Sequence, residues 1–193
     1  MRKRFQLMAW LFFATYLFAF QVSANNKNSN SIYQFDLPGL KGQKISLANY
    51  QGKVILIANT ASHCGYTKQY KGLQGLHETY QDKGMVVIGV PSNSFKQEFK
   101  EEKEVAKFCE MNYGVKFQMA KILPVKGNDA HPLFQFLTAQ SSSVQKASRQ
   151  DVSWNFEKFL IDRKGQVRYR FNSKVDPNSP EMKKAVQKLL SES

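Results

Sequence analysis

The chain has 193 residues, with 28 Lys and Arg against 15 Asp and Glu for a formal net charge of +13, and 42% of its residues are hydrophobic. That composition excludes a disordered polyelectrolyte and supports one sizeable buried core. The basic residues are scattered (Lys41, Lys44, Lys53, Lys68, Lys71, Lys96, Lys100, Lys103, Lys107) without a basic run or an aromatic ladder, so a nucleic-acid face is not indicated.

Arg2, Lys3 and Arg4 precede an apolar stretch, Leu7–Phe20, and Val22-Ser23-Ala24 then offers small residues at a cleavage site. This is the pattern of a secretory signal peptide over residues 1–24. This 14-residue stretch is short of the roughly 20 that a membrane span needs. Export is therefore expected, to the periplasm of a Gram-negative cell or otherwise to the outside. Residues 25–31 read as a polar, disordered tail, and residues 32–191 as a single domain. Only Cys64 and Cys109 are available as thiols, and in an oxidising compartment they could form one structural disulfide or a working redox couple.

Ile32–Leu37 and Leu40–Leu47 flank Pro38-Gly39 and read as an N-terminal hairpin. Val54–Asn59 is a continuous apolar run, the mark of a strand buried on both faces. The chain then turns small and polar and reaches Cys64 just ahead of a helical pattern at Tyr70–Tyr80. The free N–H groups of a helix N-terminus, with Lys68 nearby, favour a thiolate, which is the nucleophilic form. Leu73, Leu76, His77 and Tyr80 share one face of that helix, and His77 reads as half-buried rather than as a base. Met85–Val90 is a second buried strand, so strand, helix and strand make a right-handed crossover.

Glu101–Tyr113 is a second helix with acids in its first turn, Val105, Phe108 and Cys109 on one face, and Gly114 at its end. Phe117–Val125, containing Pro124, reads as an edge strand or loop, and His131–Gln140 as a short helix. Ser141–Ser153 is a polar connection. Phe156–Ile161 and Gln166–Phe171 flank Asp162-Arg163-Lys164-Gly165 as a hairpin, and Ser179-Pro180 caps a last helix. The expected class is α/β with a thioredoxin-like fold: a central mixed sheet flanked by helices, with an N-terminal β-hairpin. His63, His77, His131 and the two cysteines show no metal-ligand spacing, so no metal and no cofactor are expected.

Four blocks in this order resemble the glutathione peroxidase family. Ala61–Thr67 followed by Tyr70-Lys71-Gly72-Leu73 is similar to its peroxidatic-cysteine motif, and Val90–Phe95 with Gln97-Glu98 to its second motif. Phe108-Cys109 with Asn112–Val115 resembles the cysteine helix of the two-cysteine, non-selenium members. Trp154–Leu160 followed by Asp162–Gly165 resembles the third motif. The resemblance, spanning Ile32 to Leu190, implies that Cys64 is the peroxidatic residue, that Trp154 and Asn155 present N–H groups to its sulfur, and that Cys109 is the resolving thiol. It departs from the family at three places. Ser94 stands where a glutamine is usual, in a loop one residue short, with Gln97 as the possible substitute. Ser92 replaces another common cysteine, and Gln118 a usual proline.

The expected activity is reduction of hydrogen peroxide or of organic and lipid hydroperoxides, in response to oxidative stress. It would pass through a cysteine sulfenic acid and a Cys64–Cys109 disulfide, with a thioredoxin-like protein or a small thiol as reductant. Closing that disulfide would require local unravelling of the 101–113 helix. Membrane contact is at most peripheral, and the short 141–153 connection implies a monomer by analogy. Two competing readings remain. A thiol–disulfide oxidoreductase would need a second cysteine three residues after Cys64, and Thr67 stands there. An exported scaffold with weakened or no peroxidase activity would follow if Ser94 disables the site.

Overall fold

The computed structural model describes residues 30–145 and 150–192. The expected signal peptide lies outside them, as do residues 25–29 of the tail and 146–149 of the polar connection. Asn30 and Ser31, read from sequence as part of the tail, are anchored. Ser31 is buried and accepts from the Tyr33 N–H, and the Gln140 side chain donates to Asn30 O.

The elements are β1 (Asp36–Pro38), β2 (Lys44–Ser46), β3 (Val54–Thr60), α1 (Gln69–Tyr80), β4 (Met85–Pro91), α2 (Glu102–Tyr113), β5 (Gln118–Met119), α3 (Pro132–Gln145), β6 (Lys158–Ile161), β7 (Val167–Phe171) and α4 (Pro180–Ser191). β1 and β2 form the antiparallel hairpin read from the sequence. The other five strands make one sheet in the order β5-β4-β3-β6-β7. β3 is parallel to β4 and antiparallel to β6. The sheet is therefore mixed and the fold is thioredoxin-like, as expected.

β3 sits at the centre of that sheet, and all seven of its residues are buried. Successive side chains point to opposite faces. Val54, Leu56 and Ala58 join a core with Leu73 of α1, Val105 of α2 and Val186 of α4. Ile55 and Ile57 join a second core with Phe134 and Leu137 of α3 and Leu37 and Ile45 of the hairpin. Gly89 is required where β4 meets β5, because a Cβ there would lie 2.4 Å from Met119 Sδ. Ser179 caps α4, accepting from the Met182 N–H, and Pro180 holds N1.

Two boundaries differ from the sequence reading. α3 runs on through Ser141–Gln145, which was read as the start of a loop. The hydroxyls of Ser141 and Ser143 donate back to the carbonyls of Thr138 and Ala139, so these polar residues are absorbed by the helix itself. In 117–125 only Gln118 and Met119 are regular strand. The rest follows the sheet edge through single bonds, Lys121 N–H to Pro38 O and Leu123 N–H to Pro91 O.

Candidate active site

β3 delivers the chain to Cys64 just beyond the C-terminal end of this central strand, through a set of turns rather than directly onto a helix. α1 begins at Gln69, five residues on and one residue before the start read from sequence, so Cys64 lies in the loop ahead of the helix, as expected. The loop is built by Thr67. Its hydroxyl accepts from the Cys64 N–H at 3.0 Å and donates to Ala61 O at 2.9 Å. This folds the chain so that the Tyr66 N–H points at Cys64 Sγ, 3.4 Å away. One backbone donor, close and fixed, therefore faces the sulfur. Cys64 is 8% exposed and carries a free thiol.

Asn155 and Trp154 lie in the turn that enters β6. Asn155 is fully buried, whereas Trp154 is 40% exposed, with its ring against Phe95 at a centroid distance of 5.1 Å. Gln97 links this turn to the cysteine loop. Its backbone carbonyl accepts from the N–H of His63, next to Cys64, at 2.9 Å, and its side-chain oxygen accepts from Asn155 Nδ2 at 2.9 Å. The Ser94 hydroxyl is engaged elsewhere, accepting from the Val125 N–H at 3.0 Å and from the Ser92 hydroxyl at 3.1 Å. The loop turns at Lys96, which holds φ +58. That turn places Gln97, not Ser94, beside Asn155. The sequence left this choice open.

Three further groups were not singled out from the sequence. The Asn59 side chain donates to Trp154 O at 3.0 Å. Glu98 is buried, with one oxygen accepting from the N–H groups of Ser62 and Phe99 and the other without a partner. Burial raises its pKa above the usual carboxylate range despite those two donors. Glu157 pairs with Arg170 at 2.8 Å in the interior, and Arg170 also donates to the carbonyls of Gln150 and Asp151, fixing the approach to Trp154. A polar residue in an apolar run, as at Asn59, was the one available sequence signal.

Cys109 lies on α2, within the same core as Cys64, and its thiol is also free. Burial pushes its pKa up to about 11, the Tyr70 hydroxyl beside it opposes the shift, and the nearby Glu98 carboxylate adds to it. The same burial, with Cys109 and Glu98 close by, holds Tyr70 well above its ordinary value. Tyr70 and Cys109 influence each other, yet the Tyr70 hydroxyl has no partner in direct hydrogen-bonding geometry.

α2 is held by two fully buried side chains and by the half-buried rings of Phe108 and Tyr113, which pack on Phe99 and Tyr70. Val105 and Cys109 are its only fully buried side chains, Glu101 supplies no side-chain cap, and Met111 is 72% exposed. Its C-terminus is well closed by Gly114 at φ +58, whose N–H donates to Cys109 O and Glu110 O.

Among the described residues no cluster of His, Cys, Asp or Glu could hold a metal ion. The cysteine loop and the Trp154–Asn155 turn, joined through Gln97, carry a thiol, an indole, two amides and backbone N–H groups. Such a set suits a reaction that develops negative charge on oxygen beside a sulfur nucleophile.

Comparison with known proteins gives a consistent result. The family model for glutathione peroxidase matches residues 32–138. A glutathione peroxidase of Lactococcus lactis subsp. cremoris is 43% identical over 161 residues, covering 83% of this chain and 99% of its own. A protein of Synechocystis sp. described as hydroperoxy fatty acid reductase is 43% identical over 166 residues, covering 84% of this chain and 97% of its own. Among solved structures, a T. cruzi protein described as GPX1 superposes with a TM-score of 0.64 at 31% identity, covering 83% of this chain and 96% of its own.

Proposed function

The chain belongs to the glutathione peroxidase family and is a thiol peroxidase, and on that premise we propose that Cys64 is the sulfur that takes the peroxide oxygen. The observation that carries this reading is the Gln97 bridge. One residue ties the backbone beside Cys64 to the buried amide of Asn155. The Cys64 thiol gives up its proton, the thiolate attacks the terminal oxygen of the hydroperoxide, the O–O bond breaks, and the departing alkoxide or hydroxide takes up a proton in place of the one the thiol released. Cys64 remains as a sulfenic acid. The Trp154 indole N–H and the amides of Asn155 and Gln97 are the donors for the developing oxyanion. With Gln97 in place, Ser94 is not needed for that task, which favours an active peroxidase over a weakened one.

The Cys109 thiol then attacks the Cys64 sulfenic sulfur. The S–S bond forms, the S–O bond breaks, and the Cys109 proton leaves with the hydroxide as water. Cys109 is 2% exposed and burial raises its pKa, so this step calls for a local opening of α2. Such an opening would expose Val105 and Cys109 and part the rings of Phe108 and Tyr113 from Phe99 and Tyr70. A dithiol protein of the thioredoxin kind, or a small thiol, returns both cysteines to the reduced state.

The rim of the site, where exposed Trp154 packs on Phe95, offers an apolar surface to the carbon chain of an organic hydroperoxide. The name of the Synechocystis relative points the same way. Hydrogen peroxide and lipid hydroperoxides are thus both proposed substrates. We also propose that the enzyme is exported through residues 1–24, acts as a monomer and serves in the response to oxidative stress.

Steady-state turnover with hydrogen peroxide and with a fatty-acid hydroperoxide, each supplied with a dithiol protein or with glutathione, tests these assignments. Turnover of both peroxides with the dithiol donor is expected, and an enzyme that consumes neither contradicts the reading.

A further inference from the structure

Asn59 is fully buried near the end of β3, where the preceding strand residues are apolar. A buried polar side chain persists when its hydrogen bonds are made, and those of Asn59 all converge on one short turn. Its Nδ2 donates to Trp154 O at 3.0 Å, and its Oδ1 accepts from the Glu157 N–H at 3.0 Å. Its own carbonyl accepts from the Phe156 N–H at 2.6 Å, and its N–H donates to Glu157 O at 3.3 Å. Asn155, held within this turn, carries the amide that meets Gln97.

The turn is not one that the local sequence would choose. Phe156 holds φ +63, a left-handed conformation that a bulky side chain adopts at a cost of roughly 1–3 kcal/mol. Such a residue stays where its surroundings over-determine it, and the bonds from Asn59 fall on both sides of it. Five residues further along the same chain is Cys64. Asn59 thus joins the strand that delivers the sulfur to the turn that delivers Trp154 and Asn155.

We propose that Asn59 is a positioning residue for the peroxidase reaction, setting the Trp154–Asn155 turn in register with Cys64. This rests on the function proposed above, since it matters only if that turn serves the reacting oxygen. The task needs one donor and one acceptor in a single flat group. An aspartate at 59 would keep the bond from the Glu157 N–H but set a carboxylate oxygen against the Trp154 carbonyl. A serine would be too short to reach both partners.

Trp10 and Trp154 are the two tryptophans of the chain, so in a Trp10→Phe background the fluorescence reports this turn alone. Asn59→Asp and Asn59→Ser are to be compared with that background for three quantities: the rate of Cys64 oxidation by hydrogen peroxide per folded molecule, the emission of Trp154, and the rate of Cys64 alkylation. Both variants should oxidise about 10- to 100-fold more slowly, the loss that a displacement of about 1 Å in reacting groups can cause. Trp154 emission should shift to longer wavelength, while Cys64 alkylation stays within about twofold because the bonds to Cys64 from Thr67 and Tyr66 are untouched. If Asn59→Asp does not fold, Asn59→Ser decides.

Oxidation rates and Trp154 emission at background values, with only the melting temperature lowered, would reduce Asn59 to a scaffold role and overturn the inference. In parallel, Trp154→Phe and Asn155→Ala are to be measured. If both oxidise at the wild-type rate, the function proposed above fails, and this inference with it. If both are slow while the Asn59 variants are not, this inference alone fails.

Discussion

Replacing Gln97 by alanine removes the side chain that accepts from Asn155 Nδ2 but keeps the backbone carbonyl that holds the His63 N–H. The cysteine loop should therefore stay tethered while Asn155 loses its one side-chain partner. Asn155 is fully buried and its Oδ1 already has none, so both polar ends of its amide would be unsatisfied. Stranding a buried donor in this way costs about 1–3 kcal/mol. If the loss falls fully on the transition state, it slows Cys64 oxidation by about 5- to 150-fold, since 1.36 kcal/mol is a factor of ten in rate. Ser94→Ala is the paired control. It takes an acceptor from the Val125 N–H and a partner from Ser92, a change confined to the other side of the loop, so stability should fall while the oxidation rate stays within about twofold. Stopped-flow oxidation of reduced protein by hydrogen peroxide measures both. Gln97→Ala at the wild-type rate, or Ser94→Ala as slow as Gln97→Ala, would refute the assignment of Gln97.

Cys109→Ser should leave the first oxidation of Cys64 intact and stop repeated turnover with a dithiol donor. Undiminished turnover would remove Cys109 from the cycle. Gly114→Ala forces a side chain into the left-handed cap of α2 at a cost of roughly 1 kcal/mol, so alkylation of Cys109 in the reduced native protein should speed up about fivefold through more frequent opening of that helix. An unchanged rate would mean that α2 opening does not control access. Lys158 is fully buried, donates to Gln69 Oε1, Asn172 O and Val175 O, and has its pKa lowered to about 8 by burial. Between that value and about 10.4 the unfolded chain binds the proton and the folded one does not, so the burial penalty is full below pH 8 and relieved as pH rises. Wild type should gain about 2 kcal/mol relative to Lys158→Met between pH 8 and 10, as read by urea unfolding. A falling difference would contradict the sign.

The buried strands were legible because β3 and β4 are covered on both faces and their apolar runs admit no helical period. The capped start of α4 was legible because Ser179 and Pro180 act through their own backbones. What escaped the sequence depends on partners far apart in the chain. Lys158 is tolerated in the interior because Gln69, Asn172 and Val175 converge on it. The choice of Gln97 over Ser94 follows from a left-handed residue at Lys96, a conformation that lysine rarely signals. The four bonds of Asn59 to the Trp154 turn span nearly a hundred residues. Cys64 itself was found from its place after a buried strand, but its close donor proved to be the Tyr66 N–H, set by a Thr67 turn whose geometry residue types alone do not specify.

The most direct measurement is mass spectrometry of the Cys109→Ser protein after one equivalent of hydrogen peroxide, with a trap for sulfenic acid, set beside peroxide consumption by Cys64→Ser. A trapped sulfenic acid at Cys64 and no consumption by Cys64→Ser are expected. An unmodified Cys64, or a Cys64→Ser protein that consumes peroxide as fast as wild type, would contradict the role given to this sulfur.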